Sequence, residues 1–302
     1  MTTQRTLGVL TFNLNNPSQQ RAERQLAYLA ARPEAVLVLT ETADSAGCAL
    51  LEERFTAAGY SVTFPRPERR GERGVMIVSR LSTLDSWPIV SYLPHRAVAV
   101  TVETDRGPLG IIGLYVPSRD AGPKKTARKT QFLEECRERL PEGRDGLRLV
   151  IGDFNILEPD HVPAYRFFKP FEYDFYRWFA EAGYGDAFRL TNPASIEYSW
   201  VGRTGDGYRY DHAHASAALA EELTACAYVH EPRSGSDRLT DHSALTTTFT
   251  VAPTVPRPVT EPQAAEPEVA EPTPHTVLTR HPKETRGREH LDLDRQAPPV
   301  AR

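Results

Sequence analysis

The stretch LVIGDFNI, residues 149–156, runs from apolar residues directly into an acidic and an amide side chain. After Gly152, Asp153 and Asn155 stand two positions apart. Because successive side chains of a strand point to opposite faces, we expect Asp153 and Asn155 to point the same way and Phe154 to point the other way. A strand that ends in this manner predicts a polar site at the edge of a buried sheet.

Polar side chains also follow several other apolar runs of the chain. A single polar residue at a strand end is usually a cap or a turn residue, but six such ends built from Asp, Glu, Asn, His and Tyr are not explained in that way. Carboxylates at the ends of buried strands are desolvated unless they are paired or bind a metal. The residues at these ends are Asn13 and Asn15, Glu41, Tyr115 and Ser118, Asp153 and Asn155, Asp211, and Asp241 with His242. Because hard cations prefer oxygen ligands, this set predicts a site for Mg²⁺, with Mn²⁺ as its substitute.

Residues 1–250 alternate between short apolar runs and helical patterns. The apolar runs are rich in Val, Ile, Leu, Thr and Tyr and are bounded by Gly, Pro, Asp and Asn, which is typical of strands. Helical patterns occupy residues 17–33, where Ser18 is the expected N-cap, and residues 126–143 and 171–186. This mixture predicts an α/β domain with two packed sheets and helices on the outside.

The composition changes near residue 251. Residues 251–302 hold ten of the 25 prolines and no aromatic residue, and their apolar residues show no sustained period. We therefore predict a folded domain over residues 1–250 and a Pro-rich disordered tail over residues 251–302. The sequence does not identify a partner for this tail.

Bulk properties narrow the class of protein. The chain is 40% hydrophobic and 25% charged, has no run of about 18 apolar residues, and does not begin with a secretory-signal pattern. Cys48, Cys136 and Cys226 are widely spaced and odd in number, which favours buried thiols in a reducing compartment. These features predict a cytoplasmic globular protein outside the membrane. The net charge of −4 neither indicates nor excludes a nucleic-acid binder, because local patches decide that property.

In chain order, six segments resemble motifs of the endonuclease/exonuclease/phosphatase superfamily, and within it those of the exodeoxyribonuclease III-like apurinic/apyrimidinic endonucleases. The segments are TFNLNN, LTET, YVPSRD, IGDFN, YSWVGRTGDGYRYDHAHAS and TDHSAL, and the resemblance covers about residues 7–250. GDFN alone is moderately specific, and an isolated TET or DH carries little information. The complete set in this order is strong evidence. The resemblance implies a four-layer α/β sandwich.

The resemblance also implies a set of metal-binding residues. Glu41 matches the main metal-ligand glutamate, and Asn13 matches the asparagine beside the metal and the phosphate. Asn15 falls where the family places Asn or Asp near the metal. Asp241 belongs to the terminal Asp–His pair and completes the predicted metal set.

A second group of residues is implied in catalysis. Asp153 matches the aspartate that orients or deprotonates the attacking water, and Asn155 matches its companion. His242 is the histidine of the terminal pair, Asp211 matches the aspartate that orients it, and Tyr115 matches the tyrosine close to the phosphate. A metal would neutralise phosphate charge, Asp153 would act as base, and His242 and Tyr115 would donate to the charge that builds on phosphorus.

Two neighbouring histidines are expected to be structural. His212 and His214 stand two positions apart, as metal ligands often do. On a strand they lie on the face opposite Asp211, so ordinary packing is the favoured interpretation.

Substrate contacts are predicted from basic segments and from motif departures. Loops 66–73 and 118–129 are rich in Arg and Lys and are suited to follow a DNA backbone. DNA-repair members carry a Trp-Arg-x-Asp run where this chain has GYRYDH, and Asn or Gln where it has Ser118. The predicted substrate-binding residues are Arg73, Ser118, Arg119, Lys124, Lys125, Tyr208 and Arg209.

We therefore predict a Mg²⁺-dependent DNA phosphodiesterase with 3′-to-5′ exonuclease and AP endonuclease activity in base excision repair. Its expected partner is duplex DNA with abasic sites or 3′ ends, and the expected state is a monomer. One alternative is a related phosphoesterase that acts on a small-molecule, lipid or RNA phosphate ester. A second alternative is a non-catalytic binding protein, which loss of Glu41, Asp153 or His242 would have indicated; all three are present.

Overall fold

The computed structural model describes residues 6–263, which form fourteen strands and seven helices. The strands are β1 (Leu7–Asn13), β2 (Val36–Thr42), β3 (Ser61–Thr63), β4 (Gly74–Ser79), β5 (Thr83–Pro88), β6 (Ala97–Thr104), β7 (Gly107–Tyr115), β8 (Leu147–Asp153), β9 (Tyr184–Asp186), β10 (Trp200–Val201), β11 (Gly207–Tyr208), β12 (Asp211–Ser216), β13 (Leu223–Val229) and β14 (Ala244–Phe249). The helices are α1 (Gln19–Ala30), α2 (Ala46–Ala57), α3 (Pro123–Arg139), α4 (Pro170–Glu181), α5 (Ala187–Thr191), α6 (Ala217–Ala220) and α7 (Glu231–Ser234).

The strands build two six-stranded mixed sheets. One has the order β13-β14-β1-β2-β4-β3 and the other the order β5-β6-β7-β8-β12-β9, while β10 and β11 form a separate hairpin. Apolar side chains from the inner faces of both sheets form one core, which includes Val38, Ile77, Ile111 and Ile151. Helices α1 and α2 cover the outer face of the first sheet, and α3 and α4 cover that of the second. The predicted four-layer α/β sandwich is therefore confirmed.

Two glycines allow close approach of backbone within these layers. A Cβ atom on Gly113 would lie 2.7–2.8 Å from methyl groups of Val75 and Val38 on the facing sheet. A Cβ atom on Gly152 would lie 2.0 Å from the Leu114 carbonyl oxygen, and the φ of Gly152 is +153°. The glycine of the GDFN motif thus lets β8 pair tightly with β7 immediately before Asp153.

The three predicted helices are present as α1, α3 and α4, and four further helices were not predicted: α2 and the short helices α5, α6 and α7. Ser18 caps α1, since its side chain accepts a hydrogen bond from the Arg21 backbone N–H. Helix α2 has apolar residues spread around its circumference rather than along one stripe, so no helical period marks it in the sequence. Its buried residues Leu51 and Phe55 pack on the first sheet.

The packed chain continues past the predicted boundary after Thr250. The Ala252 carbonyl accepts from the Asp105 N–H at 2.9 Å, and the Thr260 N–H donates to the Ala58 carbonyl at 2.9 Å. Residues 251–263, which were predicted to belong to the tail, therefore lie along the domain. The rest of the predicted tail, residues 264–302, lies outside the described residues.

The structure tests the predictions about cysteines and membrane-spanning segments. Cys48, Cys136 and Cys226 are buried free thiols, as expected. Within residues 6–263, no helix combines the length and the apolar character that crossing a membrane requires.

Candidate active site

The polar residues predicted from the strand ends lie together at one end of the sandwich. Strands β1, β2, β7 and β8 end there, and the antiparallel strands β12 and β14 begin there. Asp153, the last residue of β8, pairs with Tyr115 of β7 and with Asp211 of β12. From the other sheet, Asn13 donates through Nδ2 to the Asp153 Oδ2 atom at 3.0 Å. The site is therefore built across both sheets.

Two asparagines, one at the end of β1 and one just after it, connect the acidic residues of the site. The Asn15 N–H donates to Asn13 Oδ1 at 2.8 Å, and Asn15 Nδ2 donates to Asp241 Oδ1 at 3.0 Å. Trp200 Nε1 donates to the other oxygen of Asp241 at 3.2 Å, and Thr240 Oγ1 donates to the Asn13 carbonyl at 2.6 Å. Trp200 and Thr240 were not predicted, although both lie in the segments that carried the resemblance.

Backbone conformations that L-residues rarely adopt are concentrated here. Asn15, Asn16, Glu41 and Asn155 have φ values of 51°, 40°, 52° and 48°. Asparagine tolerates the left-handed region, whereas a glutamate there is strained by roughly 1–3 kcal/mol and must be held by its surroundings. The conformation of Glu41 at the end of β2 is typical of a functional site.

Asp153 is buried, and hydrogen bonds hold its carboxyl group on both oxygens. Besides the bond from Asn13, the Asn155 backbone N–H donates to Asp153 Oδ1 at 2.9 Å. Burial raises the pKa of Asp153 to about 8; the neighbouring carboxylates add to this effect, and His242 opposes it. A carboxyl group whose pKa lies near neutrality is well matched to general base catalysis.

His242 and Asp211 form a buried pair. His242 Nδ1 lies 2.7 Å from Asp211 Oδ2, and Asp211 Oδ1 has no hydrogen-bond partner among the described residues. Burial disfavours the charged imidazole, but the adjacent Asp211 carboxylate outweighs it, and the pKa of His242 is raised to about 10. His242 is therefore an imidazolium at neutral pH, with reactive atoms of Asp153, Asp211 and His242 all within 4.8 Å of one another.

Asn155 is placed differently from the sequence expectation. Strand β8 ends at Asp153, so the alternation of side chains does not extend to Asn155. Its Nδ2 atom donates to the Val116 carbonyl at 3.1 Å, which anchors the turn to the end of β7. The expectation that Asp153 and Asn155 share a strand face is wrong, because the backbone turns at positive φ. Asn155 instead holds Asp153 through its backbone N–H.

A buried lysine secures this turn, and no sequence signal indicated it. Lys129 Nζ donates to the Asn155 carbonyl at 2.6 Å and to Glu172 Oε1 at 2.7 Å. Both side chains are almost fully buried, and burial lowers the pKa of Lys129 to about 8. Helices α3 and α4 thus supply an ion pair that fixes the backbone next to Asp153.

Replacing Lys129 with methionine is expected to lower the free energy of unfolding by about 3 kcal/mol, because it leaves Glu172 and the Asn155 carbonyl short of a buried donor. It is also expected to lower catalytic turnover through a displaced Asp153. Urea denaturation and steady-state rates measure both effects. Lys125→Met is the matched control, because Lys125 is exposed and pairs with the exposed Asp120. Equal stability of the two variants would contradict the prediction.

Tyr115 lies at the base of the site. Burial raises the pKa of Tyr115 well above its ordinary value, and the negative charges of Glu41 and Asp153 add to this effect. The phenol is therefore a hydrogen-bond donor at all working pH values. The Arg96 guanidinium packs 4.6 Å from the centre of its ring and was not predicted.

The predicted metal ligands fit a hard divalent cation in chemistry. Glu41, Asn15 and Asp241 offer carboxylate and amide oxygens without sulfur or imidazole, which suits Mg²⁺ or Mn²⁺. Glu41 Oε2 accepts from Arg73 Nη1 at 2.9 Å, while Oε1 has no partner among the described residues. Arg73, which was predicted to contact substrate, thus lies within the site and is paired with Glu41.

The other residues predicted to contact substrate differ in how far their side chains are exposed to solvent. Ser118 and Lys124 are exposed after β7 and at the start of α3. Lys125 pairs with Asp120 at 2.9 Å. Arg119 is buried: its Nε donates to Glu172 Oε2 at 2.9 Å, and its guanidinium packs on the Phe167 ring. The prediction that Arg119 contacts substrate is not supported, because its charge is neutralised inside the protein.

Arg209 also has a structural environment. It is fully buried, and its guanidinium donates to Glu158 Oε2 at 2.8 Å and to Asp186 Oδ2 at 2.7 Å. This placement argues against the predicted substrate contact, since the charge does not reach solvent. Tyr208 is half-buried and stacks on Tyr165 with ring centres 4.5 Å apart, and its ring centre lies 5.5 Å from that of Trp200, which binds Asp241.

The predicted structural role of His212 and His214 agrees with their positions. Both are buried on the outer face of the second sheet, where His214 stacks on Phe179 at 4.1 Å. Asp186 lies near both histidines, but its Oδ2 atom already accepts from Arg209 and from a tyrosine hydroxyl. Burial lowers the pKa of His214 to about 3. The cluster is a neutralised core network.

Comparison with known proteins identifies relatives of this architecture. No family model and no curated protein matches the sequence. Solved structures do match: an AP endonuclease from Archaeoglobus fulgidus has a TM-score of 0.67 at 23% identity, over 80% of this chain and 99% of that one. The 3′–5′ exonuclease NExo from Neisseria meningitidis has a TM-score of 0.66 at 24% identity, over 80% and 99% of the two chains.

A third match links the same fold to a bound nucleic acid. The 3′ phosphatase NExo from Neisseria, solved with a product DNA hairpin, has a TM-score of 0.64 at 23% identity, over 80% of this chain and 99% of that one. At these identities the likeness establishes a shared fold. The fold that the motif resemblance implied is thereby confirmed.

Proposed function

We propose that the protein is a Mg²⁺-dependent nuclease that hydrolyses DNA phosphodiesters, with AP endonuclease and 3′-to-5′ exonuclease activity in base excision repair. One observation carries this proposal: a buried carboxyl group of raised pKa, Asp153, lies beside the Asp211–His242 pair and next to a set of oxygen ligands. The shared fold with proteins described as an AP endonuclease and an exonuclease supports DNA as the substrate. We place the enzyme in the cytoplasm as a monomer.

The residues of the site divide the work of hydrolysis. Asp153 removes a proton from the attacking water, and its position is held by Asn13 and by the Asn155 N–H. The His242 imidazolium donates through its free ring nitrogen to a phosphoryl oxygen as negative charge builds there. Tyr115 supplies a second neutral donor from the base of the site.

Glu41, Asn15 and Asp241 would hold the metal, with Asn13 beside it. A Mg²⁺ ion held by these residues would supply neutralisation of the phosphate charge and stabilisation of the leaving alkoxide. Arg73 pairs with Glu41 and holds that carboxylate in position. Because phosphodiesters are anions, the His242 imidazolium and a bound metal would also attract the substrate.

Replacing Glu41 with alanine is expected to weaken activity and to shift the Mg²⁺ concentration for half-maximal rate upward, because one carboxylate ligand is lost. Excess Mg²⁺ should restore part of the rate. The measurement is the cleavage rate across a Mg²⁺ titration. Glu52→Ala serves as control, since Glu52 lies on helix α2 and pairs there with Arg66 from the loop after β3. An unchanged Mg²⁺ dependence for the Glu41 variant would remove Glu41 from the metal site.

The function itself is tested with end-labelled duplexes. One duplex carries a single abasic site and the other is undamaged and blunt-ended, and each is incubated with Mg²⁺ or with EDTA. We expect Mg²⁺-dependent incision at the abasic site and erosion of the undamaged duplex from its 3′ ends. If neither duplex is cleaved while folded protein hydrolyses a generic phosphodiester, DNA is the wrong substrate.

A further inference from the structure

Most of the basic residues expected to contact DNA are neutralised by carboxylates of the protein itself. The pairs are Arg73 with Glu41, Arg119 with Glu172, and Lys125 with Asp120. A side chain committed to an internal ion pair gains little by exchanging its partner for a phosphate. Lys124 is exposed and has no such pair among the described residues, but one lysine does not hold an anionic strand, so further charges must lie elsewhere.

A groove of about 450 Å³ opens beside the metal-binding face. One of its walls contains Asn15 and Asp241, and Trp200 contributes an indole whose N–H is bound to Asp241. Arg203, on the turn between β10 and β11, and Arg238, on the loop before β14, also line this groove. Two loops that are remote in sequence thus bring two guanidinium groups to one side of the site.

These two arginines differ from the paired ones. Arg203 and Arg238 are exposed, and within residues 6–263 neither guanidinium has a hydrogen bond or an ion pair. Arg238 also has a φ of 32°, which places its side chain on a strained loop at the mouth of the groove. Strained residues persist at ligand-binding sites when the surrounding structure holds them there.

A third arginine lies deeper in the groove. Arg21 donates through Nη2 to the Asn15 carbonyl at 2.6 Å, and its buried Nε has no partner. Asp241 is the one carboxylate among the lining residues, and both of its oxygens accept hydrogen bonds from the protein. The lining of the groove therefore carries three arginines against one carboxylate next to the residues that would bind the metal, although the whole chain has a net charge of −4.

We propose that Arg203 and Arg238 form a phosphate-binding subsite that holds the sugar-phosphate backbone of the substrate strand next to the scissile phosphate. Planar guanidinium groups match the geometry of phosphate oxygens and bind them without reading the base. The subsite explains how a chain without a basic net charge binds DNA. It rests on the proposed function.

The test measures binding without catalysis. Affinity of the full chain for a blunt duplex is determined in EDTA across a range of salt concentrations for the wild type, Arg203→Gln, Arg238→Gln and the double variant. Each lost phosphate contact is expected to reduce the slope of log K against log salt by about 0.9, and the double variant should lose nearly twice that. The loss should be the same on two duplexes of different sequence.

Arg106→Gln is the matched control. Arg106 is an exposed arginine at the turn before β7, at the end of that strand remote from Tyr115, and it pairs with Glu222. This variant removes the same charge and should keep the wild-type slope. Variants with wild-type slopes, made in a protein that binds and cleaves DNA, would overturn the subsite and leave the proposed function standing. A wild-type protein that neither binds nor cleaves DNA would overturn both.

Discussion

Replacing Asp153 with asparagine is expected to lower the rate of phosphodiester cleavage by at least about 10²-fold, the scale of a lost general base. Asparagine has nearly the same shape and keeps an acceptor for either Asn13 or the Asn155 N–H, but it cannot take a proton from water. The variant should therefore bind DNA and fold normally. Single-turnover rates on the abasic duplex at saturating enzyme separate this chemical defect from a change in binding.

The same variant is expected to change how stability depends on pH. The pKa of Asp153 is about 8 in the folded protein against about 3.9 in an unfolded chain, so folding favours the protonated form. Its contribution to stability is fully present below pH 4 and is lost as the pH rises towards 8. In EDTA, Asp153→Asn should lack this loss, and its stability relative to the wild type should improve between about pH 4 and 8.

Two results would contradict this account of Asp153. Wild-type turnover by Asp153→Asn on every phosphodiester tested would exclude Asp153 as the base. A variant whose stability follows the wild-type pH profile would show that the carboxyl group is not held in its protonated form by burial. A variant of Asp145, an acidic residue on the exposed turn before β8, controls for the loss of one negative charge.

Replacing His242 with alanine is expected to remove activity by at least about 10²-fold, because the imidazolium no longer faces the charge that builds on the phosphate. It should also destabilise the protein by about 3 kcal/mol, since it leaves the Asp211 carboxylate buried without its partner. Asp211 is almost fully buried, and its Oδ1 atom already lacks a hydrogen bond. Steady-state rates and urea denaturation in EDTA measure the two effects.

The two effects of His242 can be separated by a second substitution. His242→Ala combined with Asp211→Asn removes the unpaired charge, so most of the lost stability should return while activity stays low. His230→Ala is the control, because the ring nitrogens of His230 contact Glu197 at 2.9 Å and Ser243 at 2.8 Å rather than Asp153, Asp211 or His242. Recovery of activity in the double variant would mean that His242 acts only by neutralising Asp211.

The stability that the His242–Asp211 pair contributes is expected to decline as the pH rises, whereas a carboxylate with a lowered pKa loses its contribution as the pH falls. The pKa of His242 is raised to about 10, so its stabilising contribution is complete below about pH 6.5 and declines as the pH rises towards 10. The stability difference between the wild type and His242→Ala should therefore be largest at about pH 6.5 and should decline as the pH rises to 10. A difference that grows with pH would contradict the raised pKa.

The sequence by itself determined the class of fold and the residues around which the site is built. Asn13, Glu41, Asp153 and His242 each stand beside an apolar strand, and that signal is local: side chains that end neighbouring strands meet at one edge of a sheet. The order of these motifs then indicated a four-layer sandwich, which the structure has. Even so, strand alternation failed at Asn155, because the chain turns at positive φ two residues after the strand ends.

Only the tertiary structure decided which charges are available to a ligand. Arg119 and Arg209 are as polar in sequence as Arg203, yet they are buried against Glu172 and Glu158, which lie far away along the chain. The same holds for Lys129, whose role depends on a carbonyl and a carboxylate from two other elements. Ion pairing depends on distances that folding sets, so composition and motifs identified the chemistry of the site but not the surface that holds its substrate.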